Sequence, residues 1–147
     1  MRAMRAFLLA VVTALVIGCS GSGSAAPAGS GAGGGGSGQL PPVGSVWFGS
    51  AFDPASLAVS DRATSLKAGT PMAAVGHFLQ PKPPEDMTVT VSKQQSILHR
   101  LPVTGSGPAK AFGIDLTPQE LDAGNYVITF VDKNRRTLAA GTLVVTP

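Results

Sequence analysis

The sequence is poorest in the side chains that carry most protein chemistry. Its 147 residues include one Cys and two His. That excludes an internal disulfide and a four-cysteine zinc site, and leaves little for metal ligation or acid–base work. Charged residues make up 13% of the chain, 11 Lys and Arg against 8 Asp and Glu, and aromatic residues 5%, with a single Trp and a single Tyr. No stretch reaches the roughly 20 apolar residues that a membrane-spanning helix requires. The apolar run from Ala6 to Ile17 has only twelve. No segment sustains a 3.6-residue apolar period long enough for an amphipathic helix. What is present is 44% apolar residues, 19 Gly and 12 Pro, in a length that suits one domain.

The chain begins MRAMRAFLLAVVTALVIGCS. Arg2 and Arg5 precede the apolar run, as the charged and hydrophobic regions of an export signal do. Val16-Ile17-Gly18-Cys19, directly after it, resembles the lipobox of bacterial lipoproteins. The resemblance implies that residues 1–18 are a signal peptide and that Cys19 becomes the first mature residue, carrying diacylglyceryl and a fatty acid such as palmitate. Each buried CH₂ is worth about 0.8 kcal/mol, so two or three chains on one residue would hold the protein on a membrane without crossing it. Ser20, where an Asp would retain a lipoprotein at the inner membrane, implies the outer membrane in a host with two. Without Arg2 and Arg5, nine Lys and Arg face eight acids, a balance of +1. No basic stripe then argues for nucleic acid.

Residues 20–38 contain nine Gly, five Ser, four Ala and one Pro. Nothing there can offset the entropy cost of ordering, so residues 19–39 are expected to form a flexible linker with an r.m.s. reach of roughly 25 Å. The run GAGGGGSG lacks the Lys and the strand-then-helix context of a phosphate loop.

Residues 40–147 turn to Val, Thr, Ile, Leu and Phe with Gly and Pro punctuation. Period two dominates: Met87, Val89 and Val91 alternate with Thr88, Thr90 and Ser92; Phe112, Ile114 and Leu116 form a second inward set, and Tyr126, Ile128 and Phe130 a third. Residues 138–145 complete a hairpin across the Asp132–Arg135 turn. Less regular strands are expected at 45–52, 71–80 and 97–103, with a short edge segment at 62–67. The one helical candidate is a single turn over Pro118–Leu121, with Thr117 as cap and Glu120 three residues on. Strands at about ten-residue spacing without amphipathic helices predict an all-β fold: one antiparallel β-sandwich of about seven strands with Greek-key connections.

The segment Leu121-Asp-Ala-Gly124-Asn-Tyr126-Val-Ile-Thr-Phe130 resembles the turn into the penultimate strand of immunoglobulin-like and fibronectin-type domains. Residues 138–145 are similar to the closing strand of bacterial extracytoplasmic Ig-like modules, and Leu66-Lys-Ala-Gly69-Thr-Pro-Met to a turn into a core strand. The resemblance implies an Ig-like sandwich in which Gly124 and Tyr126 form a structural corner, the Tyr hydroxyl bonding a backbone group upstream. The chain departs from antibody domains in lacking the Cys pair and in carrying its Trp on the first strand.

Candidates for chemistry are few. No G-x-S-x-G elbow occurs, and Gly105-Ser106-Gly107 reads as a turn. His77 lies within an apolar strand and is expected to be a satisfied core-edge imidazole; His99, beside Arg100, is expected at a solvated edge. Asp115, Glu120 and Asp122 are the densest acidic group but have no calcium-loop spacing, and Asp53 and Asp61 flank a second loop. No catalytic residue, metal or cofactor is therefore assigned. Trp47 is a candidate binding platform for a sugar ring or protein anchor, unless it covers the open end of the core. Lys133, Arg135 and Arg136 place positive charge at a hairpin tip, where it discourages edge pairing and suits an anionic headgroup or polymer. The resulting expectation is a non-catalytic, lipid-anchored envelope protein that presents a binding or structural module to a protein or glycan. An accessory lipoprotein docked on a transporter or secretion assembly is the second class, and a small envelope enzyme the third.

Overall fold

The computed structural model describes residues 39–147. The expected signal peptide, Cys19 and the expected linker up to residue 38 lie outside the described residues.

Ten strands follow one another: β1 (Val46–Gly49), β2 (Ala51–Phe52), β3 (Val59–Ser60), β4 (Ser65–Lys67), β5 (Ala73–Lys82), β6 (Met87–Lys93), β7 (Ser96–Pro102), β8 (Ala109–Asp115), β9 (Gly124–Asp132) and β10 (Thr137–Thr146). They form a three-stranded sheet, β1-β5-β8, a five-stranded sheet, β4-β10-β9-β6-β7, and a small β2-β3 ribbon. The chain crosses between the two larger sheets after β4, after β5, after β7 and after β8, so that sequence neighbours are shared between the layers of a β-sandwich.

The two sheets enclose one apolar core. From the five-stranded sheet it takes Met87, Val89 and Val91 of β6, Tyr126, Ile128 and Phe130 of β9, and Ala139, Leu143 and Val145 of β10. From the three-stranded sheet come Val46, Phe48, Ala74, Phe78 and Phe112. Phe78 lies at the centre, its ring 5.4 Å from that of Phe130 and 6.3 Å from that of Phe112. Spacings in this range suit offset or tilted aromatic pairs, which add about 0.5–1.5 kcal/mol to the area they bury. The sets of β6 and β9 point inward from strands with one dry face and one wetter face, whereas in the third set Phe112 is buried, Ile114 is half-buried against the core, and the buried Leu116 lies just beyond β8.

Several expectations are corrected. The segment 45–52 is broken at Ser50, and its second half pairs with β3, a strand the alternation does not reveal because it is two residues long. The edge segment expected at 62–67 shrinks to Ser65–Lys67, and it runs parallel to β10 in an otherwise antiparallel sandwich. The count is thus ten strands, three of them no longer than three residues. Pro81 does not end β5, which continues to Lys82 and pairs there with Ala109 across an irregularity. The helical turn covers Thr117–Gln119 rather than 118–121 and is a 3-10 turn without a side-chain cap. Thr117 lies inside it. Its amide donates to Asp115 Oδ1 (2.8 Å) and its Oγ1 accepts from the Met72 amide (3.0 Å), so the side chain ties the turn to the loop before β5.

Candidate functional site

The corner before β9 is held by two side chains, Tyr126 and Lys93. The Tyr126 ring is buried, and its hydroxyl donates to the Asp122 carbonyl (2.8 Å) four residues upstream. Lys93, at the end of β6, lies over the ring with Nζ 5.1 Å from its centroid and donates to the Ala123 carbonyl (2.9 Å). Gly124, at φ +154°, leaves the space this Lys occupies, since a Cβ there would stand 2.5 Å from Lys93 Cε. The corner is closed and presents no group for chemistry.

The outer face of the three-stranded sheet is also largely closed. Strand alternation sends Phe48 into the core and Trp47 outward, opposite Val75, rather than over the open end of the core. Trp47 is half-buried, and the Arg62 guanidinium stacks on its ring 3.4 Å from the centroid. The neighbouring Gly113 is covered by the Phe52 ring of the β2-β3 ribbon; a Cβ at that position would collide with it. Ala73, Val75 and Ala111 are consequently buried although they do not belong to the inter-sheet core. His77 lies on the same face, half-buried, with Nδ1 2.7 Å from the Pro41 carbonyl. That contact joins β5 to the segment through which the chain enters.

The outer face of the five-stranded sheet is open. Its outward rows run Thr88–Val131, Thr90–Thr129 and Ser92–Val127 between β6 and β9, then Thr129–Ala140, Val127–Thr142 and Asn125–Val144 between β9 and β10. These positions carry no charge. At one end of the face lies a groove of about 400 Å³ lined by Thr88, Thr90, Arg100, Pro102, Lys133 and Arg135. The hairpin beside it is organised by Asp132, whose Oδ1 accepts the amides of Asn134 (2.8 Å) and Arg136 (2.9 Å). The Arg136 amide bond holds the Asp132 carboxyl below the ordinary value of 3.8, against a smaller opposing effect of desolvation; the Asn134 amide and the charges of Lys82 and Arg136 add to the lowering. Lys133 pairs with Asp86 at 3.0 Å. Arg135, at φ +62°, lines the groove, while the charge of Arg136 acts on Asp132. The two neighbouring arginines thus serve different surroundings.

The remaining candidates are dispersed. Asp115 accepts the Thr117 amide, the Asp122 carbonyl receives the Tyr126 hydroxyl, and Glu120 takes a left-handed conformation at φ +46°. A cleft of about 420 Å³ separates this turn from residues 68–72. Asp53 accepts the Ala55 amide (2.7 Å) and the Ser56 amide (3.3 Å), and these bonds lower its pKa. His99 is half-buried on the edge strand β7, opposite Val91. Among the described residues no group of three His, Cys, Asp or Glu lies close enough to share a metal ion. Sequence reasoning missed Arg62 and Arg100. Arg62 could have been sought as a cation within reach of the lone Trp; the role of Arg100 depends on a strand register that no local signal specifies. No family model matches the chain, and no curated protein or solved structure is significantly similar to it.

Proposed function

We propose that this is a non-catalytic lipoprotein of a bacterial envelope, anchored through acylated Cys19 and presenting an Ig-like sandwich as a binding or structural module. The observation that carries the reading is the four-residue match Val16-Ile17-Gly18-Cys19 directly after a charged and apolar leader. The composition of residues 20–38 suits a tether between anchor and domain. The domain adds an uncharged sheet face rich in Thr and Val, bounded at one end by Arg100 and Arg135. A flat face with a few donors at its margin suits a protein or glycan surface better than an enclosed small molecule. Membrane fractionation tests the anchor: the wild-type protein is expected in the membrane pellet and the Cys19→Ala protein in the soluble fraction. A Cys19→Ala protein that remains in the pellet would refute the anchoring.

Strand β7 favours a second reading, in which the module docks on a larger envelope assembly. β7 is a sheet edge, and it exposes Ile97 and Leu98. An apolar edge strand can accept a strand from a protein partner, a mode of recognition that no glycan offers. Crosslinking from membranes separates the two readings. A stoichiometric protein partner lost in a Leu98→Lys variant supports docking, and glycan-array signal without such a partner supports the first.

A further inference from the structure

The charges of the sandwich are sorted along its long axis. At the end where the described chain enters at Gln39, β5, β9 and β7 finish and β6, β8 and β10 begin. Toward this end lie Lys82, Arg100, Lys110, Lys133, Arg135 and Arg136 against Glu85, Asp86 and Asp132, six cations to three acids and a balance of +3. Toward the opposite end lie Arg62, Lys67 and Lys93 against Asp53, Asp61, Asp115, Glu120 and Asp122, three to five and a balance of −2. Two of the three acids at the basic end are engaged: Asp86 is paired with Lys133, and Asp132 holds its hairpin turn. Lys110, Arg135 and Arg136 are exposed.

The same end carries the most exposed large apolar side chain among the described residues, Leu79, which is 74% exposed. Val43 is 52% exposed. These two bracket the bond from the Gly44 amide to the His77 carbonyl (2.7 Å), which fixes the entering segment along β5. An exposed Leu and Val at the end that holds the excess of Lys and Arg match the two attractions of a membrane interface, apolar insertion and electrostatic contact with anionic headgroups.

We infer that the chain-entry end of the sandwich docks against an anionic lipid surface, with Leu79 and Val43 in the headgroup layer and Lys110, Arg135 and Arg136 on the phosphates. The inference rests on the lipoprotein reading for what brings the domain to a membrane. Its consequence is an upright domain, with the acidic end directed away from the bilayer. A 20-residue separation between Cys19 and Gln39 permits this contact without requiring it.

The test uses the mature chain, residues 19–147, with Cys19→Ser so that no acyl chain contributes. It is co-sedimented with phosphatidylcholine vesicles doped with phosphatidylglycerol and with pure phosphatidylcholine vesicles. Binding to the anionic vesicles alone, weakening as salt is raised, is expected. Arg135→Asn with Arg136→Gln should weaken it by about 30-fold, at roughly 1 kcal/mol per basic residue near the surface. Asn is chosen at 135 because it tolerates the left-handed backbone there. Leu79→Ser should weaken binding several-fold, and Lys67→Gln at the opposite end should leave it unchanged, with circular dichroism checking that each variant is folded. Equal binding to both vesicles, no binding to either, or indifference to the double Arg variant would overturn the docking. Mass spectrometry of Cys19 in protein from membranes judges the anchor separately, so failure of one can be told from failure of the other.

Discussion

The two sheets solve the same packing problem with opposite outer faces. The five-stranded sheet buries one side of β6, β9 and β10 and leaves the other to Thr, Ser, Val and Asn. The three-stranded sheet buries its inner side in the same core, but its outer side is also covered, by Trp47 with Arg62 stacked on it and by Phe52 of the ribbon. Val75 is fully buried on that outer side. The difference shows which surface is available to a partner. A ligand of the three-stranded face would have to displace the ribbon, whereas the five-stranded face and the basic end need no rearrangement.

Truncation of each sheet's aromatic contact should sharpen this contrast most. Phe130→Ala, in the shared core, is expected to cost about 3–5 kcal/mol in urea unfolding. Phe52→Ala, half-buried in the outer cluster, should cost about 1–2 kcal/mol. Equal losses would mean that the outer cluster is as integral as the inner core, and the contrast would fail. Within the five-stranded sheet, Tyr126→Phe removes the hydroxyl from the Asp122 carbonyl while keeping the buried ring, and should cost about 1 kcal/mol. A neutral result would leave the corner to packing alone.

The smallest effect concerns pH. Asp132 has its pKa depressed below 3.8 in the fold, first by the Arg136 amide. A depressed carboxyl contributes stability that is present above its unfolded value and is lost as pH falls through the folded value. Wild-type stability, followed by thermal unfolding, should therefore decline as pH drops below about 4, and Asp132→Asn should decline less steeply over the same range. Parallel slopes in the two proteins would show that the β9-β10 hairpin does not depend on this charge.

The same contrast explains how much was legible. β6 and β9 read as strands because one dry face and one wetter face write an alternating pattern. β1 and β5, covered on both sides, read as continuous apolar runs, VWFG and AAVGHF, in which no face can be chosen. That is why neither the partner of Trp47 nor the burial of Val75 could be anticipated. The ribbon was missed for a further reason: two residues per strand are too few to show any period. Of the candidate surfaces, the hairpin-tip cations were legible as local charge. Their separation into a groove residue, Arg135, and a partner of the Asp132 turn, Arg136, depends on a left-handed backbone at 135. The groove itself required Arg100 to arrive from β7, 35 residues earlier in the chain.

The sequence by itself determined the class of the fold and the polarity of its best strands, because side-chain alternation is a property of each strand alone. It also marked the Tyr126 corner, whose hydroxyl acceptor, the Asp122 carbonyl, lies four residues away. Only the tertiary structure decided which outer face is covered, where Trp47 is seated and that the cations gather at the end where the chain enters. Those features arise from pairing between residues far apart in the chain, and long-range register is set by the joint packing of two sheets rather than by any one segment.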